Sequence, residues 1–164
     1  MKREKEFDLL GFVRILDRKK IQYLLIGRWA VILHGAPLMT ADYDFWIPAK
    51  FRETILNYLD KSGYEVPPVS AGKKPIVTVY SGTDKIDFLF FHKMTNREGQ
   101  VLDFRDCYRR ADLKQDHPHK ITVRIPSLDD LIALKKFERS TPDKEAQDAT
   151  DILYLESIKR GKHL

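Results

Sequence analysis

Cysteine is almost missing from this sequence. Cys107 is the only one in 164 residues, so no disulfide can close within the chain, and a reducing cytoplasm is the expected setting. Long apolar runs are missing too. None approaches the roughly 18 residues that a membrane span needs, which points away from a membrane partner. The opening stretch, MKREKEFDLLGFVRILDRKK, is charged at both ends and carries acids. It lacks the unbroken apolar core and small-residue cleavage site of a secretory leader. Glycine and proline are sparse at 8 each, which excludes collagen-like and low-complexity architectures. An excess of acid is also lacking: 29 Lys and Arg stand against 24 Asp and Glu, for a net charge of +5. That modest positive balance suits an anionic partner such as a nucleotide or RNA without requiring one.

What is present is globular. Hydrophobic residues make up 43% and charged residues 32%, enough apolar material for the core of one domain over 1–164. Leu9, Phe12, Val13 and Leu16 have the spacing of an amphipathic helix. Ile21–Ile26 is a short apolar run that predicts a buried strand. Gly27 ends it, Arg28–Leu33 follows as a helix, and Gly35, Ala36 and Pro37 break that helix. Asp42–Ile47 predicts a second strand closed by Pro48, and Phe51, Ile55, Leu56 and Leu59 mark a helix ending near Gly63. Ile76–Tyr80 and Lys85–Phe91 predict paired strands across a turn at Ser81–Asp84. Asp103–Asp112 predicts a helix and Ile121–Ile125 a last strand. Ser127, with Asp130 three residues on, opens a helix over Leu128–Glu138. Thr141 and Pro142 suit the start of another, running to Arg160 with Ala146, Ala149, Ile152 and Leu153 at helical spacing. The expected class is α+β: a mixed sheet flanked by helices, with a C-terminal helical pair over about 127–160 packed on it.

The informative residues are carboxylates. Asp42 and Asp44 lie two apart on a predicted strand, so they share one face with Cα atoms roughly 6.5 Å apart. Two carboxylates held together repel unless a cation or proton intervenes. Mg²⁺ takes oxygen ligands and bridges to phosphate oxygens, so it answers that need. Asp87 lies between Ile86 and Phe88 in another predicted strand, and sharing a metal site would explain an acid there. Gly27, at a strand–helix junction ahead of this pair, suits phosphate binding at a helix start. By itself, D-x-D is more often a solvated strand face.

In combination, LLIGRWAVILHGAPLMTADYDFWI followed by KIDFLF resembles the nucleotidyltransferase superfamily, the fold shared by DNA polymerase β and minimal antitoxin-type nucleotidyltransferases. The stretch from Ile26 through Asp44, with the late segment PSLDDLIALKKFERSTPDKEAQDATDILYL, is similar to AbiEii-type members. The resemblance spans about Ile21 to Leu155. It implies that Asp42 and Asp44 hold two Mg²⁺ ions around a nucleoside triphosphate. It further implies that Asp87 completes the second metal site and activates an attacking hydroxyl. Gly27, Arg28, Thr40 and Lys135 become candidates for holding the phosphates. A solvated helix face shared with Lys136 is the other reading of Lys135. The family's second small residue is Arg28 here. Arg28 either supplies charge to the phosphates or blocks their approach. The arginine common before the threonine is replaced, with Leu38 and Met39 ahead of Thr40. The implied activity is Mg²⁺-dependent transfer of a nucleoside monophosphate to a protein, RNA or small-molecule acceptor. The rival is a weak or inactive binding module, antitoxin-like or RNA-binding.

Other residues carry less. His34 ends a predicted helix and reads as packed or capping. His117 and His119 form a lone H-x-H in a predicted loop. Trp46 shares the acid face, where it either stacks on a base or is covered by a helix. Asp148 and Asp151, i and i+3 on the last helix, are either exposed or paired with Arg139 or Lys144. Phe88 and Phe90 read as core.

Overall fold

The computed structural model describes residues 6–67, 74–137 and 142–161. The order is α1 (Leu9–Arg18), β1 (Leu24–Ile26), α2 (Gly27–Leu33), β2 (Asp42–Trp46), a 3-10 turn (Ala49–Phe51), α3 (Arg52–Lys61), β3 (Ile76–Ser81), β4 (Asp84–Leu89), β5 (Lys93–Thr95), β6 (Val101–Asp103), α4 (Phe104–Arg110), β7 (Asp112–Asp116), β8 (Ile121–Ile125), α5 (Leu128–Leu134) and α6 (Pro142–Gly161). The central sheet has four strands in the order β1-β2-β4-β3. β2 and β4 run parallel, while β1 with β2 and β3 with β4 are antiparallel. The sheet is therefore mixed, and helices flank it as the α+β reading expected.

Alternation along the strands gives the sheet two unlike faces. On one, Leu25, Phe45, Phe88 and Val77 lie in register across all four strands and are buried. Phe12 of α1 packs on Phe45 and Phe88, with ring centroids 5.0 and 5.7 Å apart, and Tyr58 of α3 joins at 6.2 Å. This aromatic layer is the main core. The other face carries Asp42, Asp44 and Trp46 of β2 beside Lys85, Asp87 and Leu89 of β4. Trp46 is covered: its ring meets Phe104 of α4 edge-on, and its Nε1 donates to the Phe91 carbonyl at 3.0 Å. Base stacking by Trp46 is thus excluded by burial.

Several local expectations shift. β1 is shorter than Ile21–Ile26, because the Ile21 amide donates to the Leu16 carbonyl at 2.8 Å and closes α1 instead. β5, β6 and β7 are strands that the pattern did not suggest. β5 and β6 are three residues each, too short for a visible period. β7 is DLKQD, whose place in a strand depends on pairing with β8. Ser127 Oγ accepts the Asp130 amide at 3.2 Å, so half of a capping box forms. The Asp130 carboxylate turns instead to Arg110, with bonds of 2.9 and 3.1 Å. α5 ends at Leu134, short of the predicted end; Glu138, Arg139 and Thr141 lie outside the described residues. α6 forms as expected. Of its apolar residues at helical spacing, Ile152 packs against the core while Ala146, Ala149 and Leu153 are exposed, and Asp148, Asp151 and Leu155 face inward.

Candidate active site

Gly27 joins β1 to α2 with φ +69°, a backbone state that costs other residues about 1–2 kcal/mol. It is also a close approach. A Cβ at Gly27 would stand 2.1 Å from Asp44 Oδ2. Glycine is therefore what lets the Asp44 carboxylate lie against the start of α2. Across the sheet, the register sets Asp44 beside Asp87 and Asp42 beside Lys85, neighbours roughly 4.8 Å apart between strands. The loop before β2 is tied down by Thr40, whose Oγ1 accepts the Asp42 amide at 3.1 Å.

Both oxygens of Asp87 are engaged. Thr78 Oγ1 of β3 donates to Oδ1 at 2.5 Å, and Lys85 Nζ lies 3.3 Å from Oδ2. Burial works against the charge of Lys85, yet Asp87 outweighs it, with smaller pulls from Asp42 and Asp44, and the lysine pKa is raised. Lys85 and Thr78 were missed in the sequence, although Lys85 stands two residues before Asp87 and so had to share its face.

Facing the acids is a second group of charges. Lys135, at the end of α5, and Arg28, in the first turn of α2, converge on α6. Asp151 binds Arg28 Nη2 at 3.0 Å and Lys135 Nζ at 2.9 Å, and Asp148 lies 3.4 Å from the same Nζ. Asp151 is 1% exposed and the Lys135 side chain 9%. Lys135 is therefore no solvated helix face. Asp148 and Asp151 are not exposed either, and their partners here include Lys135 and Arg28. Their i, i+3 spacing put them on one helix face, but nothing in the local pattern said that this face was the inner one.

Between the two groups lies a cavity of about 620 Å³. Gly27, Arg28, Thr40, Asp42, Asp44 and Lys135 line it, with Asp148 and Asp151 on the α6 side. Its remaining wall is largely apolar, including Ile76, Leu89, Phe91, Met94, Leu131 and Leu134. Of the seven candidate site residues only Asp87 is outside the lining, one strand beyond Asp44.

No family model matches this sequence, and no curated protein matches it. Solved structures do. The lincosamide antibiotic adenylyltransferase LnuA, determined with lincomycin bound, superposes with a TM-score of 0.64 at 17% identity, covering 92% of this chain and 96% of that one. ANT(2″)-Ia in complex with adenylyl-2″-tobramycin gives 0.54 at 12% identity, covering 95% and 97%. The chain has the nucleotidyltransferase fold. The fold that the resemblance implied is therefore the fold of this chain.

Within this nucleotidyltransferase fold the donor chemistry can be matched to Mg²⁺. Asp42 and Asp44 are oxygen donors on one face, and Gly27 leaves room for the Asp44 carboxylate, so this pair fits a hard divalent cation. Asp87 is different. Its oxygens are held by Thr78 and Lys85, and among the described residues no three His, Cys, Asp or Glu side chains are grouped so as to hold a metal ion. Among the described residues no histidine lines the cavity. His34 is buried, with Nε2 2.8 Å from the Pro126 carbonyl. His119, in the β7–β8 turn, pairs through Nδ1 with Asp116 at 2.9 Å. Among the described residues no helix is long and apolar enough to cross a membrane.

Proposed function

We propose that this protein is a metal-dependent nucleotidyltransferase that moves a nucleoside monophosphate from a nucleoside triphosphate to a hydroxyl acceptor. The observation that carries this reading is the carboxylate row. Asp42, Asp44 and Asp87 share one sheet face, and two of them line a cavity that also holds Arg28 and Lys135. Asp42 and Asp44 are the residues that would hold Mg²⁺, which when bound offsets negative charge at the reacting phosphates. Arg28 and Lys135 meet the triphosphate from the opposite wall. Each has more N–H donors than it spends on Asp148 and Asp151. Thr40 keeps the Asp42 backbone in register, and Gly27 leaves the space beside Asp44 open. Asp87 takes the proton of the acceptor hydroxyl as its oxygen attacks the α-phosphorus. The new oxygen–phosphorus bond forms while the bond to the α,β-bridging oxygen breaks, and pyrophosphate leaves with that electron pair.

The cavity supports a small-molecule acceptor over a protein or RNA one. At about 620 Å³ it has the size of a small-molecule site, typically about 300–1,000 Å³. Leu89, Phe91, Met94 and Leu131 offer an apolar wall beside the acids. The two structural neighbours named above are likewise held with small molecules, lincomycin and adenylyl-2″-tobramycin.

The test is incubation of the pure protein with each α-labelled nucleoside triphosphate and Mg²⁺, alone and with cell extract, followed by separation of protein, RNA and small-molecule fractions. Label should enter the small-molecule fraction with release of pyrophosphate, and the doubly substituted Asp42→Asn, Asp44→Asn protein should transfer none. No labelled product, together with no thermal shift from any nucleoside triphosphate, would refute the enzyme in favour of a binding module.

A further inference from the structure

Resting on the nucleotidyl-transfer reading, we propose that Lys85 is a built-in cation of the active site. Its ammonium already holds the Asp87 oxygen that a second metal ion would need, so that the protein works with one divalent ion rather than two. The register sets Lys85 opposite Asp42, and its ammonium lies 3.3 Å from Asp87 Oδ2. The other oxygen of Asp87 is taken by Thr78 at 2.5 Å. Asp87 is thus satisfied from within the sheet, by a cation on its own strand and a hydroxyl on the next.

A lysine ammonium is a compact point charge with three donors. One is spent on Asp87. The others are available to an oxygen arriving beside Asp87, which in this reaction is the acceptor hydroxyl or the phosphate it attacks. Lys85 can stabilise charge there and hold the hydroxyl next to its base. It remains in the protein when metal and nucleotide have left, which explains how three acids share one face in the ligand-free fold. The Lys85 and Asp87 side chains are 30% and 20% exposed, so the pair borders the solvent from which an acceptor would come.

The test counts metal ions and does not depend on turnover. The four α,β-methylene nucleoside triphosphates, which cannot transfer, are screened by calorimetry. The one that binds is used to saturate the protein while Mn²⁺ is titrated by electron paramagnetic resonance. Wild type should hold one Mn²⁺ per chain in the nucleotide complex, and Lys85→Arg should also hold one. Lys85→Ala, which uncovers Asp87 Oδ2, should hold two. Two ions in wild type, or one ion in a folded Lys85→Ala protein, would overturn the inference while leaving nucleotidyl transfer intact. If none of the four analogues binds, the parent reading fails, and this inference fails with it.

Discussion

Asp151 is the residue on which the roof of the cavity depends, and Asp151→Ala measures that dependence. Its carboxylate is 1% exposed and serves two cations from two other helices, Arg28 at 3.0 Å and Lys135 at 2.9 Å. Deleting one partner of a buried ion pair costs about 3–5 kcal/mol, because the remaining charge is left buried and uncompensated. Two features move the expectation to the lower end. The Arg28 side chain is 25% exposed and can turn to water, and Lys135 keeps Asp148 at 3.4 Å. We expect a loss of about 3 kcal/mol, which for a chain of this size lowers the thermal midpoint by about 6–12 °C. Asp151→Asn keeps the shape and removes the charge, so it should show most of the same loss. The exposed pair Lys159 with Asp129, at 2.6 Å, is the internal control, and Asp129→Asn should leave the midpoint unchanged. Urea and thermal unfolding followed by circular dichroism give the values. A cycle with Lys135→Met then isolates the coupling, and the doubly substituted Asp151→Leu, Lys135→Met protein should recover part of the loss. If Asp151→Asn and Asp129→Asn shift the midpoint equally, the charged cluster does not hold α6 in place and the reasoning is wrong.

Other outcomes can be checked with the same protein. Gly27→Ala puts a Cβ 2.1 Å from Asp44 Oδ2 at a φ of +69°; it should cost about 1–2 kcal/mol in urea unfolding and abolish any thermal shift produced by Mg²⁺ with a nucleoside triphosphate. Arg28→Gly should weaken nucleoside triphosphate binding by about 1.5–3 kcal/mol in calorimetry if its guanidinium meets phosphate, and tighter binding would show that Arg28 obstructs the cavity. Burial pushes the Cys107 thiol from 9.0 up to about 12 and the Tyr23 hydroxyl from 10.0 up to about 12. Both groups resist ionising only when folded, so their effect is absent below pH 9 and stability falls as pH rises from there toward 12. Cys107→Ala should flatten that decline in urea midpoints measured between pH 8 and 11, and an unchanged slope would place its cause elsewhere.

Much of this architecture was written locally. The apolar spacing of Leu9, Phe12, Val13 and Leu16 is a property of ten consecutive residues, and it became the buried face of α1. Strand alternation alone put Asp42 and Asp44 on one face and Tyr43 and Phe45 on the other, as the sheet has them. Gly27 was legible as a junction, since a chain that must turn from strand to helix favours the residue that reaches positive φ without strain. What only the tertiary structure decided is which distant pieces meet. Whether Asp44 faces Asp87 depends on the parallel register of β2 on β4, strands joined through α3 and β3, and no local pattern encodes that register. The inward face of α6 was hidden for a related reason. Ala146, Ala149, Ile152 and Leu153 at helical spacing mark the helix, and of these only Ile152 packs against the core, whereas Asp148 and Asp151 are drawn inward by cations supplied from elsewhere. One of these, Arg28, is 123 residues away from Asp151 in the chain. A carboxylate belongs on the surface until a buried cation meets it, and where that cation stands is a fact of the fold.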